Sequence, residues 1–268
     1  MFNRKWLNKW IPERKNANQN LFDNGGMTLR ARDVTLQLFD MFDPPPTSST
    51  QRIYLHKTRR LLSALAAAVD RIAPQRIVEI GILDGGSTIY WAERYGVERL
   101  VAFDLAEQAP HLLQYLERHR LADKVRVHLG ISQDDAPTMR ALMEEDFAGG
   151  AVDFIVDDAS HQYWDTRATL EILLPFVRPG GAYVIEDWAW GHQESWPREV
   201  WKDQPLMSPL LSELMLICGG GLGIIDRIEV DPNFVALWRG PAVLSRDGGF
   251  RLVDHYVSRD FAVTLPPR

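Results

Sequence analysis

Two short apolar runs of the chain end in acidic residues that could bind a cation. The acids and the one histidine that follow these runs are Asp157, Asp158, His161, Glu186 and Asp187. Short β-branched runs are typical of buried strands in a parallel sheet, and ligands bind beyond the carboxyl ends of such strands. We therefore expect Asp158, Glu186 and Asp187 to converge, with His161 beside them.

Carboxylates that crowd together repel one another unless a cation or a proton lies between them. Oxygen ligands favour a hard divalent ion, so the pattern predicts a site for Mg²⁺, Mn²⁺ or Ca²⁺. Simpler interpretations remain open for each residue alone. Asp158 could cap a helix, His161 could begin one at the surface, and Glu186 with Asp187 could belong to a solvated loop.

The composition limits the classes of function. The chain has 268 residues, of which 46% are hydrophobic and 25% charged, as in a globular protein with a sizeable core. A net charge of −6 without a long basic block argues against nucleic acid as the main partner. The single cysteine, Cys218, excludes an intrachain disulfide and favours a cytoplasmic protein. No apolar run is long enough for a transmembrane segment.

From residue 76 onward, strand-like and helix-like segments alternate. The predicted strands are 76–80, 100–103, 125–129, 152–156 and 182–185, and the predicted helices between them are 87–95, 108–119, 136–147 and 163–177. A helix over 206–217 and a hairpin over 224–230 and 234–239 follow. This order predicts an α/β fold with a doubly wound parallel sheet and right-handed crossovers, followed by a closing hairpin.

Three segments flank this pattern. Residues 1–49 are predicted to be a weakly structured arm followed by a proline-rich linker, and residues 51–72 a helix. The basic, aromatic start of the arm could lie on a membrane surface, but we expect it to pack on its own domain or on a partner subunit, as in a homo-oligomer. Residues 241–268 are expected to be an extension packed on the domain at 50–240.

The first predicted strand runs into a glycine turn that could hold a nucleotide-like ligand. Glycines there let a ligand approach the backbone and free the amides of the next helix, although their spacing does not match the dinucleotide fingerprint. Asp104 ends the second strand, where it could accept hydrogen bonds from a ribose or cap a helix. The candidate ligand contacts are Glu79, Gly81, Asp84, Gly85, Gly86, Ser87, Asp104, Ser132, Gln133 and Asp157.

These residues together resemble the class I S-adenosylmethionine-dependent methyltransferases over about residues 50–240. The resemblance implies S-adenosylmethionine as the methyl donor and a Rossmann-like, mostly parallel sheet of seven strands, in which the hairpin at 224–239 inserts one antiparallel closing strand. More specifically, residues 157–161 with Glu186 and Asp187 resemble the metal-dependent sugar O-methyltransferases of macrolide and rhamnosyl tailoring, and in part the cephalosporin-hydroxylase-like sequences. That likeness implies Asp158, Glu186 and Asp187 as metal ligands and His161 as the general base. Ile131 departs from the pattern, since many relatives have an acid there.

Aromatic residues on either side of the acids are candidate contacts for the acceptor. Aromatic faces suit the C–H surfaces of a sugar, although a Trp-rich segment such as 188–201 could instead anchor a loop. The candidates are Tyr54, His56, Lys57, Trp188, Trp190 and His192. The predicted reaction is O-methylation of a sugar hydroxyl on a natural product or glycan. The alternatives are methylation of a catechol-like diol and non-catalytic binding of a nucleotide-like ligand.

Overall fold

The computed structural model of the chain describes residues 21–23, 26–39, 47–194 and 205–259. Most of the predicted arm, Trp196, Trp201 and residues 260–268 lie outside these ranges. The strands are β1 Leu21–Asp23, β2 Thr28–Ala31, β3 Val34–Leu38, β4 Arg52–Leu55, β5 Arg76–Ile80, β6 Arg99–Asp104, β7 Val125–Leu129, β8 Val152–Asp157, β9 Val177–Glu186, β10 Ile225–Val230 and β11 Phe234–Arg239. The helices are α1 Arg59–Val69, α2 Gly86–Tyr95, α3 Pro110–Arg118, α4 Ala136–Phe147, α5 Tyr163–Leu173 and α6 Ser208–Gly219.

Seven strands form one sheet in the order β10-β11-β9-β8-β5-β6-β7. Strands β5 to β9 pair in parallel, whereas β11 runs antiparallel to both β9 and β10. Side chains alternate between two apolar layers: Phe154 and Val156 of β8 face one, and Ile155 faces the other. The doubly wound sheet with an antiparallel closing strand confirms the predicted fold class.

A second, four-stranded sheet with the order β1-β2-β3-β4 precedes the large one, and the sequence does not indicate it. Residues 28–38 are predicted to belong to an arm and linker, yet they form a hairpin whose Val34 and Leu36 are fully buried in a core shared with the large sheet. Arg32 Nε lies 2.6 Å from Oε1 of the buried Glu93 in α2. This ion pair fixes the small sheet against the large domain.

The prediction of a helix over residues 51–72 is wrong for its first residues. Residues 52–55 instead pair with β3 as a parallel strand, and α1 begins at Arg59 after Thr58, whose hydroxyl accepts a hydrogen bond from the amide of Leu61 at 3.2 Å. The helix expected over 163–177 ends at Leu173, because Pro175 follows in a short 3-10 helix and Val177 already belongs to β9. In the part of the chain that the structure describes, no helix is long and apolar enough to cross a membrane.

Candidate active site

A cleft of about 1050 Å³ opens at the carboxyl ends of β5, β6 and β8. β5 has β6 on one side and β8 on the other, so the order of the strands reverses here, which is where open α/β sheets bind ligands. The small sheet covers the opposite side of the cleft with Phe39, Tyr54 and His56. A cleft of this size can hold a nucleoside together with a second small molecule.

The glycine turn after β5 lies in contact with the acidic segment after β8. The amide of Asp158 donates to the carbonyl of Ile80 at 2.8 Å. Gly81 has a φ of +82°, and a Cβ on it would lie 2.3 Å from the carbonyl oxygen of Asp158. Only glycine therefore allows these two strand ends to approach so closely.

Gly85 and Gly86 do not line the cleft, and packing explains why they are glycines. A Cβ on Gly85 would lie 2.6 Å from Cβ of Leu112 in α3, and one on Gly86 would lie 2.3 Å from the carbonyl oxygen of Tyr54 in β4. The small sheet thus packs directly against the beginning of α2. Their predicted contact with a ligand remains a prediction.

Asp104 organises the turn from the end of β6. Its Oδ2 accepts from the amides of Ile82 and Leu83 at 2.7 and 3.0 Å, and its Oδ1 accepts from Ala106 at 2.7 Å. The carboxylate borders the cleft together with Asp84 and Ser87. Because each carboxylate oxygen has two lone pairs, Asp104 retains acceptor capacity for ribose hydroxyls.

Gln133 borders the cleft after β7, but its side chain is bonded to the protein. Its Nε2 donates to Oγ1 of Thr169 at 2.8 Å, and its Oε1 accepts from the amide of Ser160 at 2.9 Å. Gln133 therefore holds the segment between Asp158 and His161 in place. Ile131 and Ser132 line the same part of the cleft.

Glu79 and Asp157 lie beneath the cleft rather than in its wall. Glu79 is fully buried and accepts from Oγ1 of Thr88 at 2.6 Å, while Asp157 accepts from the hydroxyl of Tyr183 at 3.0 Å. Burial raises the pKa of each carboxyl group to about 7. Both acids thus connect the strand ends to the layer below, and the structure places neither where a ligand in the cleft would reach it directly.

The side chain of Lys57, which follows β4, reaches into the acidic cluster formed by Asp158, Glu186 and Asp187. Its Nζ lies 2.6 Å from Oδ2 of Asp158 and 2.7 Å from Oε1 of Glu186, and its side chain is only 1% exposed. Burial alone would lower the pKa of Lys57, but the attraction of the two carboxylates raises it above its ordinary value. The sequence predicts that Lys57 contacts the acceptor and that Glu186 binds a metal ion, whereas here the two residues bind each other.

Asp158, His161 and Asp187 form a group that could hold a metal ion. One ligand atom from each lies within 4.8 Å of the others, and Nε2 of His161 is 3.8 Å from Oδ1 of Asp158. Two carboxylates and an imidazole fit a divalent ion such as Mg²⁺ or Mn²⁺. The sequence predicts Asp158 and Asp187 as ligands, but it places His161 beside the ion as a base.

His161 and Asp187 both have a left-handed backbone, with φ of +55° and +51°. This conformation costs a residue other than glycine about 1–3 kcal/mol, although Asp and His adopt it more readily than most residues. Hydrogen bonds hold both residues: Nε1 of Trp190 donates to the carbonyl of His161 at 3.1 Å, and the amide of Asp187 donates to that of Asn233 at 2.7 Å. The surrounding structure therefore enforces the geometry of the group.

The predicted acceptor contacts divide into two sets. Tyr54, His56 and Trp190 line the cleft, whereas Trp188 and His192 do not. Nε1 of Trp188 instead donates to the carbonyl of Asp231 at 2.8 Å, so this residue anchors its loop to the closing hairpin. Partial burial lowers the pKa of His56 below its ordinary value, which favours a neutral ring at pH 7.

Phe39 lines the cleft although no sequence signal indicates it. Its ring packs edge-to-face on His56 with 4.5 Å between the ring centroids. It follows β3, in a segment that the sequence pattern predicts as a linker. Only the pairing of β3 with β4 brings its ring to the cleft, and no local pattern in the chain reveals that pairing.

The order of the strands, the glycine turn and the cleft at the reversal point define the class I methyltransferase fold. A family model described as a methyltransferase domain matches residues 78–188, which agrees with this fold. The MycE methyltransferase of the mycinamycin biosynthetic pathway, solved with Mg, S-adenosylhomocysteine (SAH) and mycinamycin VI, superposes with a TM-score of 0.52 at 24% identity. That match covers 72% of this chain and 51% of the other, and it supports the fold.

Two curated relatives are similar to less than half of this chain. The 8-demethyl-8-(2-methoxy-alpha-L-rhamnosyl)-tetracenomycin-C 3'-O-methyltransferase of Streptomyces olivaceus is 35% identical over 125 residues, or 44% of this chain and 28% of the relative. The L-olivosyl-oleandolide 3-O-methyltransferase of Streptomyces antibioticus is 32% identical over 118 residues, or 42% of this chain and 28% of the relative. The matched region thus spans under a third of either relative.

Proposed function

We propose that this protein is an S-adenosylmethionine-dependent O-methyltransferase that acts, with the help of a divalent ion, on a sugar hydroxyl of a natural product or glycan. One observation carries the proposal: a single cleft joins the glycine turn and Asp104 to the group formed by Asp158, His161 and Asp187. The similar relatives support the substrate class, because their names specify O-methylation of rhamnosyl and olivosyl compounds. The Mg in the MycE complex supports the ion.

The methyl donor would lie along the ends of β5 and β6. Asp104 offers the remaining lone pair of its Oδ1 for a ribose hydroxyl, while Asp84 and Ser87 border the turn, where the amino-acid part of the donor would be held. Ile131 and Ser132 provide the wall against which an adenine would pack. A donor in this position would share the cleft with Asp158 and His161.

S-adenosylmethionine supplies an activated methyl group when bound, and a divalent ion supplies a positive charge that stabilises an oxygen losing its proton. The chain has to position the acceptor hydroxyl and remove its proton. Positioning alone is worth up to about 7–11 kcal/mol in ideal cases. In the transfer, the acceptor oxygen forms a bond to the methyl carbon while the carbon–sulfur bond breaks, which leaves a methyl ether and a thioether.

His161 is the residue that takes the hydroxyl proton in this proposal. Its side chain is 25% exposed and borders the cleft, so an acceptor can reach it. Oδ1 of Asp158, 3.8 Å from Nε2, stabilises the positive charge that the ring gains. His56, on the opposite wall, lies in the same electrostatic environment, since Asp158, Asp187 and His161 all influence its pKa.

The experiment is a methyl-transfer assay with purified protein, S-adenosylmethionine and Mg²⁺ on a panel of rhamnosyl and olivosyl glycosides, with simple catechols as the comparison. Mass spectrometry should detect the addition of one methylene unit to a glycoside and the release of SAH. Preferential methylation of catechols would favour the aromatic-diol alternative. Absence of any thermal shift with donor or SAH would contradict the proposal, since a ligand at a hundred times its Kd stabilises by about 2.7 kcal/mol.

A further inference from the structure

Lys57 is held rigidly at the junction between the small sheet and α1. Its amide donates to the carbonyl of Leu55 at 2.7 Å, and its carbonyl accepts from the amide of Phe39 at 3.1 Å. Thr58, the next residue, caps α1. Since both backbone groups are bonded and the helix begins directly afterwards, the path of the side chain toward the acidic cluster is determined by the fold.

The ammonium group of Lys57 divides the cluster into two parts. Glu186 is 1% exposed and faces Lys57, as does Oδ2 of Asp158. Oδ1 of Asp158 points the other way, toward His161, and shares with His161 and Asp187 the group whose ligand atoms lie within 4.8 Å. A positive charge therefore already lies where an ion shared by Asp158 and Glu186 would have to be.

We propose that Lys57 is a built-in cation that removes Glu186 from the ligands of the divalent ion, so that the ion is held by Asp158 and Asp187, with His161 beside it as the base. This inference deepens the proposed function and rests on it for the presence of an ion. A second cation between Asp158 and Glu186 would meet strong repulsion from the ammonium group at close range. Lys57 thus acts as a positioning residue: it fixes Asp158 with Oδ1 toward the cleft and keeps the ion on the acceptor side.

Mn²⁺ binding to the whole protein, followed by electron paramagnetic resonance without donor or acceptor, tests this directly. The matched pair is Glu186→Gln and Asp187→Asn, since each removes one negative charge from neighbouring positions. We expect the Kd for Mn²⁺ to change by no more than about threefold in Glu186→Gln and to rise at least about tenfold in Asp187→Asn. An equal loss of affinity in both variants would overturn the inference, because Glu186 would then be a ligand.

Lys57→Met provides the converse test, because it removes the charge and keeps an unbranched side chain. Glu186 is then free to join the ion, so Mn²⁺ should bind about tenfold more tightly, and Glu186→Gln in the same chain should abolish that gain. A wild-type protein that binds no Mn²⁺ while Lys57→Met does would overturn the inference, because Lys57 would then exclude the ion instead of positioning it. Failure of both to bind Mn²⁺ would overturn it.

Two features keep the test decisive. If Lys57→Met does not fold, since it leaves the buried carboxylate of Glu186 without its ammonium partner, the comparison of Glu186→Gln with Asp187→Asn still decides the question. Binding of SAH, measured separately by calorimetry without metal, reports on the proposed function. Absence of SAH binding would contradict the methyltransferase proposal and leave the assignment of the ligands standing.

Discussion

At the scale of single residues, the left-handed backbone of His161 allows its role in the reaction to be tested separately from its effect on stability. Asparagine adopts the left-handed region more readily than most residues, so His161→Asn removes the imidazole while tolerating the φ of +55°. We expect the Tm to stay within a few degrees and kcat for methyl transfer to fall at least about a hundredfold, as for loss of a general base. Calorimetry and the glycoside assay measure the two quantities. Retention of full activity would exclude His161 as the base.

Asp153 leads to a prediction of how the free energy of unfolding depends on pH. Burial raises its pKa, but the hydrogen bond from Arg178 and those from the amides of Gln75 and Arg76 outweigh that effect, so the pKa lies below its ordinary value of 3.8. The stabilisation is therefore present above the ordinary pKa and disappears as the pH falls through the lowered one. Asp153→Asn should lower the free energy of unfolding near pH 7, with the difference from wild type shrinking toward about pH 3. A difference in urea denaturation that does not depend on pH would contradict this.

The candidate residues show what the sequence can and cannot reveal at this scale. Asp158, His161 and Asp187 are predicted to meet because acids that follow adjacent parallel strands share one edge of the sheet, and the structure brings them together. The partner of Glu186 could not be predicted in this way. Lys57 lies 129 positions earlier in the chain and outside the parallel sheet, so no periodic pattern relates the two residues.

At the scale of elements, the contact between the ends of β5 and β8 depends on Gly81. Gly81→Ala adds a Cβ 2.3 Å from the carbonyl oxygen of Asp158 and also strains a φ of +82°. Gly130→Ala is the matched control, because its φ is +70° but nothing lies within 4 Å of the new Cβ. We expect Gly130→Ala to cost about 1 kcal/mol of unfolding free energy and Gly81→Ala clearly more, with a loss of Mn²⁺ binding only in the latter. Equal effects would show that the close approach is unimportant.

The elements between residues 76 and 239 were largely predictable because most strands are short apolar runs, the helices between them are amphipathic, and glycine, proline or charged residues separate them. The strands at 76–80 and 125–129 and the helix at 136–147 begin and end as predicted. The small sheet was not predictable for a physical reason. Its strands are three to five residues long, and β4 pairs with β3 only after the chain has passed through residues 39–51. Because β4 has only four residues and lies just before α1 in the chain, its sequence resembles the first turn of that helix.

At the scale of the whole molecule, the cleft lies between the large sheet and the small one. The large sheet supplies the glycine turn, Asp104 and the acidic group, and the small sheet supplies Tyr54, His56 and Lys57. The first set follows from the class I fold and was predictable from the sequence. The sequence also gives the second set as candidate acceptor contacts, but only the structure reveals that Lys57 binds Asp158 and Glu186.

The most direct test of the account is a crystal structure of the protein with SAH and Mn²⁺, with the metal located by its anomalous signal. The account predicts SAH in the cleft beside Asp104 and one Mn²⁺ peak within bonding distance of Asp158 and Asp187, next to His161, with Lys57 still between Asp158 and Glu186. SAH bound outside the cleft, or a Mn²⁺ peak away from these two carboxylates, would contradict it.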